Sequence, residues 1–449
     1  MAARPKHNRR PARTKAPEVR LPRNESEVTI ERLAHDGRGI GYVDGKVTFV
    51  EQALAGESHR VRVIGGKSKF YEAVSSELLS APAQERAVPS CPHYQSCGGC
   101  HLQHMSLDAQ IAFKQDLVAD QCRRNGVSLP GFSSPLAGAG LGYRGRCRLS
   151  VHHKGEAFAG FRQKGQAQLV KIKQCDVLVP SLAKLIEPLQ GALSQITARS
   201  LGHVELIDDS AGPVIIVRHV ADLSEQELAV LQQLADTQSV RLLLQPNAEP
   251  ALYLVSGEAV STQFSLSVPG LNAPLAYRAE DFTQVNRQIN QQMVAQALNW
   301  LPLSRDQTWI DLYCGVGNFS LPLATRVGSV HGVEGVADMV AQAELNARNQ
   351  GLDNCSFYAA DLEQAGIYRR LPKQVDGVLL DPPRAGAKTV VGHIASLKPA
   401  HILYVSCDPA TFARDAAMLT EQGYKIDKIG IIDMFPQTMH VETMAVFRR

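Results

Sequence analysis

The C-terminal part of the chain alternates, from residue 306 onwards, between short apolar runs and longer amphipathic segments. An apolar run bounded by turn residues predicts a buried strand, whereas apolar residues at helical spacing predict a helix. The predicted strands are 308–312, 330–334, 355–359, 375–380 and 402–405, and a predicted helix covers 336–350. Strands and helices repeated in this order predict a doubly wound α/β sheet with parallel strands.

Acidic residues stand at the ends of successive strands of this predicted sheet, at Glu334, Asp361 and Asp381. Sheets of this type bind ligands at the carboxyl ends of their strands, where an acid after the second strand can hold ribose hydroxyls. A Gly-x-Gly turn at 315–317 lets the backbone approach a ligand closely. Because position 320 is Ser and not the third glycine of a dinucleotide motif, the pattern favours S-adenosylmethionine over a dinucleotide.

Cys407 ends the predicted strand that begins at His401, and an Asp-Pro turn follows it at once. A thiol at this edge of the sheet lies where ligands bind, and a thiolate can act as a nucleophile. Free cysteine is also among the most buried residue types, so a place in the core is the alternative from position alone. The motifs around Cys407 favour the nucleophile.

Three cysteines lie close together, at Cys91, Cys97 and Cys100, with the spacing C-x5-C-x2-C. A set of four thiolates holds either zinc or an iron–sulfur cluster, so a fourth ligand is needed. The downstream candidates are Cys122, Cys147 and Cys175. Zinc sites usually contain two C-x2-C pairs, and the single pair here favours a [4Fe-4S] cluster. Cys122 also falls on the apolar stripe of a helix predicted over 106–126, which favours a place in the core.

Basic residues are concentrated in three segments, although the net charge of the chain is only +3. Residues 1–20 form a basic arm, for which we expect disorder and contact with a phosphate backbone. Short alternating strands in 21–80 predict an OB-like barrel with basic loops suited to nucleic acid. Basic strands between 144 and 173 carry interleaved aromatic residues, which indicates an RNA platform. Its basic residues are Arg144, Arg146, Arg148, Lys154, Arg162, Lys164, Lys171 and Lys173.

These patterns divide the 449 residues into an arm, a barrel and two further domains. We expect the central α+β domain with the cysteine site over 81–275 and the doubly wound domain over 276–449. No run approaches the roughly 18 apolar residues of a membrane helix, and the N-terminus lacks the apolar stretch of a secretory signal. Nine cysteines without an export signal indicate a reducing compartment, so we expect a cytoplasmic protein without membrane contact. No dimer surface is evident, and we expect a monomer.

Five motifs occur in a characteristic order, namely Phe282-Thr-Gln284-Val-Asn286, Asp311-Leu-Tyr-Cys-Gly-Val-Gly-Asn-Phe319, Asp381-Pro-Pro-Arg384, Ser406-Cys407-Asp408-Pro409 and His440-Val-Glu442. Together they resemble the RNA uracil-C5 methyltransferase family. The segment His35-Asp-Gly-Arg-Gly-Ile-Gly41 resembles a TRAM domain, and its pairing with the cysteine spacing is similar to the branch that methylates 23S ribosomal RNA. The resemblance implies a class I methyltransferase domain, S-adenosylmethionine, a [4Fe-4S] cluster and 5-methyluridine in 23S ribosomal RNA.

The resemblance also implies roles for individual residues. Cys407 is expected to add to C6 of the uracil, and Glu442 to remove the C5 proton as general base. The residues expected to bind the methyl donor are Gln284, Tyr313, Asn318, Glu334, Asp361 and Asp381, the last of which could contact the uracil instead. The implied cluster ligands are Cys91, Cys97, Cys100 and Cys175. Two alternatives stay open: the same chemistry on another rRNA or tRNA uridine, and a non-enzymatic, redox-sensitive iron–sulfur protein that binds RNA.

Overall fold

The computed structural model describes residues 21–152, 155–246, 251–255 and 263–449. The predicted basic arm and Lys154 lie outside these described residues. The chain divides into two compact units, an N-terminal unit that ends at Arg86 and a C-terminal unit that spans Ala87–Arg449. No helix in the described ranges combines the length and the apolar character needed to cross a membrane.

The N-terminal unit contains a small six-stranded sheet. Its strands are β1 (Ser26–Thr29), β2 (Arg32–Leu33), β3 (Gly39–Val43), β4 (Lys46–Glu51), β5 (Ser58–Lys67) and β6 (Phe70–Leu78). They lie in the order β1-β5-β6-β4-β3-β2. Close approach of β3 to β1 requires glycine at position 41, because a Cβ there would lie 2.3 Å from Val28 Cγ1. The sequence predicted short alternating strands in this segment, and β2 is too short to show an alternating pattern.

The first part of the C-terminal unit is built on a seven-stranded central sheet. Its strands are β7 (Arg146–Val151), β8 (Ala159–Arg162), β9 (Leu169–Lys171), β10 (Leu201–Asp209), β11 (Gly212–His219), β12 (Arg241–Pro246) and β13 (Tyr253–Leu254). Their order is β13-β12-β11-β10-β7-β8-β9. The helices of this part are α1 (Leu107–Arg124), α2 (Pro180–Ala183), α3 (Ile186–Leu193) and α4 (Glu225–Gln238). One face of the sheet packs on α2, α3 and α4, and β14 (Gln263–Leu266) and β15 (Leu275–Arg278) form a separate pair.

The second part contains the predicted doubly wound sheet. Its strands are β16 (Thr308–Leu312), β17 (Ser329–Glu334), β18 (Cys355–Ala359), β19 (Gly377–Leu380), β20 (His401–Ser406), β21 (Lys425–Ile432) and β22 (Glu442–Arg448). Its helices are α5 (Arg287–Trp300), α6 (Ser320–Ala324), α7 (Ala337–Asn349), α8 (Ala365–Tyr368), α9 (Lys388–Leu397) and α10 (Pro409–Glu421). The order is β18-β17-β16-β19-β20-β22-β21. The strands from β18 to β20 are parallel, and β22 runs antiparallel between β20 and β21.

The strand order of this sheet reverses between β16 and β19. Such a reversal opens a crevice at the carboxyl ends of the strands, where doubly wound sheets bind ligands. Parallel strands covered by helices on both faces are apolar throughout, which explains why all four residues of β19 are buried. The fold therefore places the predicted ligand-binding motifs along one edge of the sheet.

Helix α1 joins the cysteine segment to the doubly wound sheet. Ser106 caps its first turn by accepting a hydrogen bond from Ala109 N. Val118 and Cys122 pack into the core that the sheet forms with α9 and α10. Cys122 is fully buried there, which confirms its predicted place in the core.

Candidate active site

Cys407 lies in the short step between the end of β20 and the beginning of α10. Every residue of β20 after His401 is buried. α10 begins at Pro409, and Asp408 caps it by accepting hydrogen bonds from Ala410 N and Thr411 N. Proline at the first helical position and an aspartate cap end the strand and start the helix at once. Cys407 is thereby left half-buried at the carboxyl edge of the sheet.

A cavity of about 570 Å³ opens beside Cys407. Glu442, the first residue of β22, lines the same cavity. Because β20 and β22 are neighbouring strands in which Ser406 pairs with Thr443, Cys407 and Glu442 emerge side by side. The structure thus brings together the two residues to which the motifs gave catalytic roles.

Glu442 is a buried carboxyl group that lacks a full set of partners. It is 4% exposed, and its Oε2 accepts no hydrogen bond from the described residues. Burial raises the pKa of Glu442 to about 8, and the negative charge of Asp381 adds to this rise. Burial also raises the pKa of Asp381 to about 7. Near neutral pH Glu442 is therefore mostly protonated, whereas Asp381 is divided between its protonated and ionised forms.

The Cys407 thiol titrates in the field of these two acids. Burial, followed by the charges of Glu442 and Asp381, raises the pKa of Cys407 to about 11, although the guanidinium of Arg384 acts in the opposite direction. The thiol is therefore protonated at neutral pH, and its activation requires a proton acceptor nearby. A carboxylate of the Glu442–Asp381 pair is such an acceptor.

Glu334 and the Gly-x-Gly turn form another part of this sheet edge. Glu334 ends β17 and accepts hydrogen bonds from Gly315 N at 3.2 Å and from Val336 N at 3.0 Å. Gly315 and Gly317 have φ values of 56° and 99°, which glycine adopts without strain. Tyr313 has a φ of 67°, and a bulky residue in this region is typical of a functional turn. Burial raises the pKa of Tyr313 to about 12.

The other residues predicted to bind the donor differ in how their side chains are engaged. Gln284 is 9% exposed, and its Oε1 has no partner among the described residues, so it needs an external donor. Asn318 exchanges two hydrogen bonds of 2.9 Å with Asn290, which fix the position of its side chain beside the turn. Asp361 is exposed beyond the end of β18 and accepts a hydrogen bond from Glu363 N at 2.9 Å.

The four predicted cluster ligands line the same cavity as Cys407, and they are Cys91, Cys97, Cys100 and Cys175. Hydrogen bonds hold the two cysteine segments together, since Lys173 N donates to His93 Nε2 at 2.9 Å and Ser90 Oγ donates to Asp176 Oδ2 at 2.8 Å. Burial raises the pKa of all four thiols, to about 11 for Cys100 and about 12 for Cys175. Burial therefore disfavours the thiolate form of all four cysteines.

A metal centre is not itself shown by this geometry. Within the described part of the chain, no three or more His, Cys, Asp or Glu side chains are placed to hold a metal ion. Among the alternatives for the fourth ligand, Cys122 belongs to a separate core. Cys147 is 3% exposed in the core of the central sheet, although it also lines the cavity. The charges of Cys147, Cys100 and Cys91 all act on Cys175, so the choice of Cys175 over Cys147 rests on the resemblance.

Some arginines of the predicted RNA platform are hydrogen-bonded within the protein, and others are exposed to solvent. Arg146 donates to Glu205 Oε1 at 2.8 Å and to the carbonyl oxygen of Asp281 at 3.0 Å, so it ties the central sheet to the segment before α5. Arg148 shares the same face of β7, but its side chain is 62% exposed and lines the cavity. Of these two arginines, Arg148 is the one available to a ligand.

A row of polar and small residues crosses five strands on that same face. Its members pair in register across β9, β8, β7, β10 and β11, and they are Lys171, Gly160, Ser150, His203 and Arg218. Because Gly160 and Ser150 have small side chains, the surface is shallow at the middle of the row. Adjacent members of the row lie on strands about 4.8 Å apart. His203 and Arg218 carried no sequence signal, because only the strand register places them beside β7.

Three further residues line the cavity without an assigned role from sequence, and they are Phe282, Arg384 and His440. Each belongs to a motif quoted for the resemblance, yet only the fold shows that they meet. Phe282 is 69% exposed, which is unusual for a large apolar side chain and leaves its ring available. Burial lowers the pKa of His440, and the nearby Arg384 charge lowers it further.

Family models match most of the chain. A model described as tRNA (Uracil-5-)-methyltransferase matches residues 132–449, and a TRAM domain model matches residues 19–74. The second match confirms the TRAM resemblance in the N-terminal unit.

Relatives match over almost the whole length. A Pseudomonas putida protein named 23S rRNA (uracil(1939)-C(5))-methyltransferase RlmD is 43% identical over 430 residues, which cover 94% of this chain and 93% of the relative. Proteins of the same name from Pseudomonas fluorescens and Aliivibrio fischeri are 42% and 40% identical, with coverage of 97% and 94% of this chain and 96% of each relative.

A solved structure extends the likeness to three dimensions. The Pyrococcus abyssi tRNA (uracil-54, C5)-methyltransferase in complex with S-adenosyl-L-homocysteine has a TM-score of 0.72 and 25% identity, and the match covers 94% of this chain and 99% of that one. This likeness, the family model and the relatives agree with the five motifs found in the sequence. The chain belongs to the RNA uracil-C5 methyltransferase family.

Proposed function

We propose that this chain methylates C5 of a uridine in 23S ribosomal RNA with S-adenosylmethionine, through a covalent bond between Cys407 and C6 of the uracil. The main observation behind the proposal is that Cys407 and Glu442 line the same cavity. The charge of Asp381 also raises the pKa of both groups. The names of the relatives support the RNA substrate, and the molecule bound to the Pyrococcus abyssi enzyme supports the donor. A cytoplasmic, monomeric enzyme is part of this proposal.

The proposed chemistry uses the thiol and the two carboxyl groups in turn. The Cys407 proton passes to a carboxylate of the Glu442–Asp381 pair, and the thiolate adds to C6, which makes an enolate that is nucleophilic at C5. The donor, when bound, supplies an electrophilic methyl group that C5 takes. Glu442 next releases its proton to solvent, its carboxylate removes the C5 proton, and the electron pair released expels the Cys407 thiolate from C6. Reprotonation of the thiolate completes the cycle, with one proton released to solvent.

The residues at the carboxyl edge of the doubly wound sheet have side chains that suit S-adenosylmethionine. The proposed donor-binding residues are Gln284, Tyr313, Asn318, Glu334, Asp361 and Asp381. Gln284 Oε1, which has no partner among the described residues, can accept a hydrogen bond from the bound methyl donor. Glu334 at the end of β17 suits ribose hydroxyls, and Asp361 after β18 suits an adenine amine. Asp381 raises the pKa of both Glu442 and Cys407, which favours a position on the uracil side of the donor site.

The target uridine must leave its stack to reach Cys407. We infer that the exposed Phe282 ring offers a stacking surface inside the cavity. The row from Lys171 to Arg218 then holds neighbouring phosphates on the central sheet, and Arg148 leads from the row into the cavity. In the N-terminal unit, Lys46 Nζ lies 3.8 Å from the centroid of the Tyr71 ring, a basic and aromatic surface that suits a second RNA contact.

Cys91, Cys97, Cys100 and Cys175 are proposed to hold a [4Fe-4S] cluster. Supporting this, their two segments are joined by hydrogen bonds, and Gly98 lets the loop pack tightly, because a Cβ there would lie 3.0 Å from Arg162 O. When bound, such a cluster would supply four iron–thiolate bonds that stabilise the fold, with no open position for substrate.

Anaerobically purified protein should be brown, with equal iron and sulfide. Cys175→Ser should lose the colour and Cys122→Ala should keep it, whereas one zinc and no colour would contradict the cluster.

The function is tested by trapping the covalent bond. A 23S ribosomal RNA fragment with 5-fluorouridine, incubated with the donor, should form an adduct that survives denaturing electrophoresis, because fluorine replaces the proton that must leave C5. Peptide mapping should place the adduct at Cys407. The absence of an adduct, or an adduct that persists in Cys407→Ala, would sink the assignment. Mapping of 5-methyluridine in RNA from cells that lack the protein identifies the nucleotide.

A further inference from the structure

The loop of residues 433–441 joins β21 to β22 and ends at Glu442. It forms one wall of the cavity through Phe435, Thr438 and His440. The loop is itself buried, with Gln437 8% exposed and Thr438 5% exposed. Buried backbone groups need hydrogen-bond partners, and a loop has no ladder to supply them. The partners of this loop come from distant segments of the C-terminal unit.

Each carbonyl oxygen from residue 434 to residue 437 accepts a hydrogen bond from outside the loop. Asn286 Nδ2 donates to the carbonyl of residue 434 at 3.4 Å, and Lys114 Nζ donates to that of residue 435 at 3.2 Å. Tyr143 Oη donates to the carbonyl of residue 436 at 2.9 Å. His101 N and Leu102 N donate to that of residue 437 at 2.8 and 3.0 Å. The loop is therefore shaped by its surroundings.

Gln437 is the most constrained residue of the loop. Its φ is 67°, a region in which a residue other than glycine is strained by roughly 1–3 kcal/mol. Gln110 of α1 compensates, because its Oε1 accepts from Gln437 N at 2.8 Å and its Nε2 donates to Gln437 Oε1 at 2.9 Å. Gln437 Nε2 also donates to Gly140 O at 3.3 Å. Strain that is held in this way commonly marks a functional site.

The sheet alone does not fix Glu442. Glu442 pairs with Ile432, the last residue of β21, so it stands at the end of its ladder, where strands open most readily. Its Oε2 makes no hydrogen bond within the described residues. The orientation of this carboxyl group therefore depends on the loop that leads into it.

We propose that Gln110 and Gln437 are positioning residues, which hold the 433–441 loop in the conformation that directs Glu442 towards Cys407. The proposal rests on the proposed role of Glu442 as general base. A displaced base slows the removal of the C5 proton, which follows both thiolate addition and methylation. Asp381 remains available for the first proton transfer, so the covalent, methylated adduct should still form and should then persist.

The test uses Gln110→Met, an apolar side chain of similar length, in the full chain. With an unmodified 23S ribosomal RNA transcript and the donor, turnover should fall roughly 10- to 100-fold, as expected for a misplaced catalytic group. Because the slowed step follows methyl transfer, kcat and KM for RNA should fall together with kcat/KM unchanged, and a protein–RNA adduct should appear on denaturing gels. Gln437→Gly accepts the left-handed backbone, so it should retain more turnover than Gln437→Ala, although both lose the same side-chain hydrogen bonds.

Gln190→Met is the matched control. Gln190 is 8% exposed, accepts from Ala159 N at 3.0 Å, and donates to the carbonyls of Ala159 and Ile172 at 2.7 and 2.8 Å, away from the loop. It should lose stability without accumulating adduct. Equal turnover and equal adduct in Gln110→Met and Gln190→Met would overturn the positioning role. If Glu442→Gln itself accumulates no adduct from ordinary RNA, the general-base assignment fails and the positioning role falls with it.

Discussion

Two buried glutamates, one in each unit, have opposite electrostatic surroundings. Glu57 in the N-terminal unit is fully buried, and Arg86 donates to both of its oxygens at 2.5 Å, while Leu54 N and Ala83 N donate at 2.8 and 3.1 Å. Burial acts to raise the pKa of Glu57, but these hydrogen bonds outweigh it and lower the pKa to about 2. One oxygen of Glu442 has no hydrogen-bond partner in the part of the chain that the structure describes, and its pKa is raised to about 8.

This difference shows that burial does not by itself identify a functional acid. A buried carboxylate with every lone pair satisfied is held ionised, and it stabilises the backbone around it. A buried carboxyl group that lacks partners keeps its proton near neutral pH, and it can therefore exchange that proton during a reaction. Glu57 is accordingly structural, whereas Glu442 is suited to catalysis at a cost in stability.

The largest contrast is expected from Glu442→Gln. Loss of a general base should lower turnover by about 10²–10⁴-fold, while the folded protein becomes more stable at alkaline pH. The pKa of Glu442 rises from an ordinary 4.5 to about 8 on folding, so wild-type stability falls as pH rises across that window. A tenfold change in a protonation equilibrium corresponds to about 1.4 kcal/mol of stability. Steady-state kinetics and thermal unfolding near pH 5 and pH 9 test this, and a loss of stability near pH 9 would contradict it.

The converse variant, Glu57→Gln, should destabilise the N-terminal unit and spare the chemical step. Removing one partner of a buried ion pair leaves Arg86 uncompensated and costs about 3–5 kcal/mol. Hydrogen exchange of peptides from 53–86, measured in the full chain, should accelerate, whereas single-turnover rates at saturating RNA should hold. Glu77→Gln is the control, because the Glu77–Arg60 pair is exposed and should contribute less than about 1 kcal/mol. Equal exchange in the two variants would refute the structural role of Glu57.

Part of this contrast could be predicted from the sequence. The apolar runs identified β16 to β20, and β19 and β20 show no alternation because they are buried along almost their whole length. The motifs singled out Cys407 and Glu442, and the single C-x2-C pair raised the question of the fourth cysteine. In each case the signal lies within a few adjacent residues.

The rest depends on long-range contacts that no local pattern encodes. Gln110 and Gln437 are 327 residues apart and meet only because α1 packs beside the doubly wound sheet. The raised pKa of Glu442 follows from burial and from Asp381, a residue of a different strand end. The division of the platform into structural Arg146 and exposed Arg148 follows from Glu205 on β10. The residue types in the sequence indicated the chemistry of the site, whereas tertiary packing determines the protonation states of Glu442 and Asp381.

A smaller effect should follow from Asp381→Asn. Removing this charge lowers the pKa of Glu442, so the acidic limb of the pH profile for single-turnover rate should move down by roughly 1 pH unit. The absolute rate also falls, so the midpoint is the quantity to compare. Asp311→Asn is a suitable control, because burial likewise raises the pKa of Asp311 to about 7 but its charge is not among those acting on Glu442. An unchanged midpoint in Asp381→Asn would remove Asp381 as a source of the raised pKa.

The smallest effect concerns His59, a neutral partner of Glu57. His59 Nε2 lies 3.0 Å from Glu57 Oε2, and its Nδ1 lies 2.9 Å from Ser75 Oγ. Burial lowers the pKa of His59 below 6.5 in spite of Glu57, so the unfolded state binds the proton more readily. The stability from His59 is therefore present above pH 6.5 and is lost as pH falls through the folded pKa.

His59→Gln should cost about 1 kcal/mol above this range, the value of one hydrogen bond, and should remove the pH dependence below it. Hydrogen exchange of β5 amides, corrected for intrinsic rates, measures both. If His59→Gln costs as much as Glu57→Gln, the ion pair with Arg86 is not the dominant partner of Glu57. The difference in pKa between Glu57 and Glu442 would then depend on all the hydrogen bonds that Glu57 accepts and not on Arg86 alone.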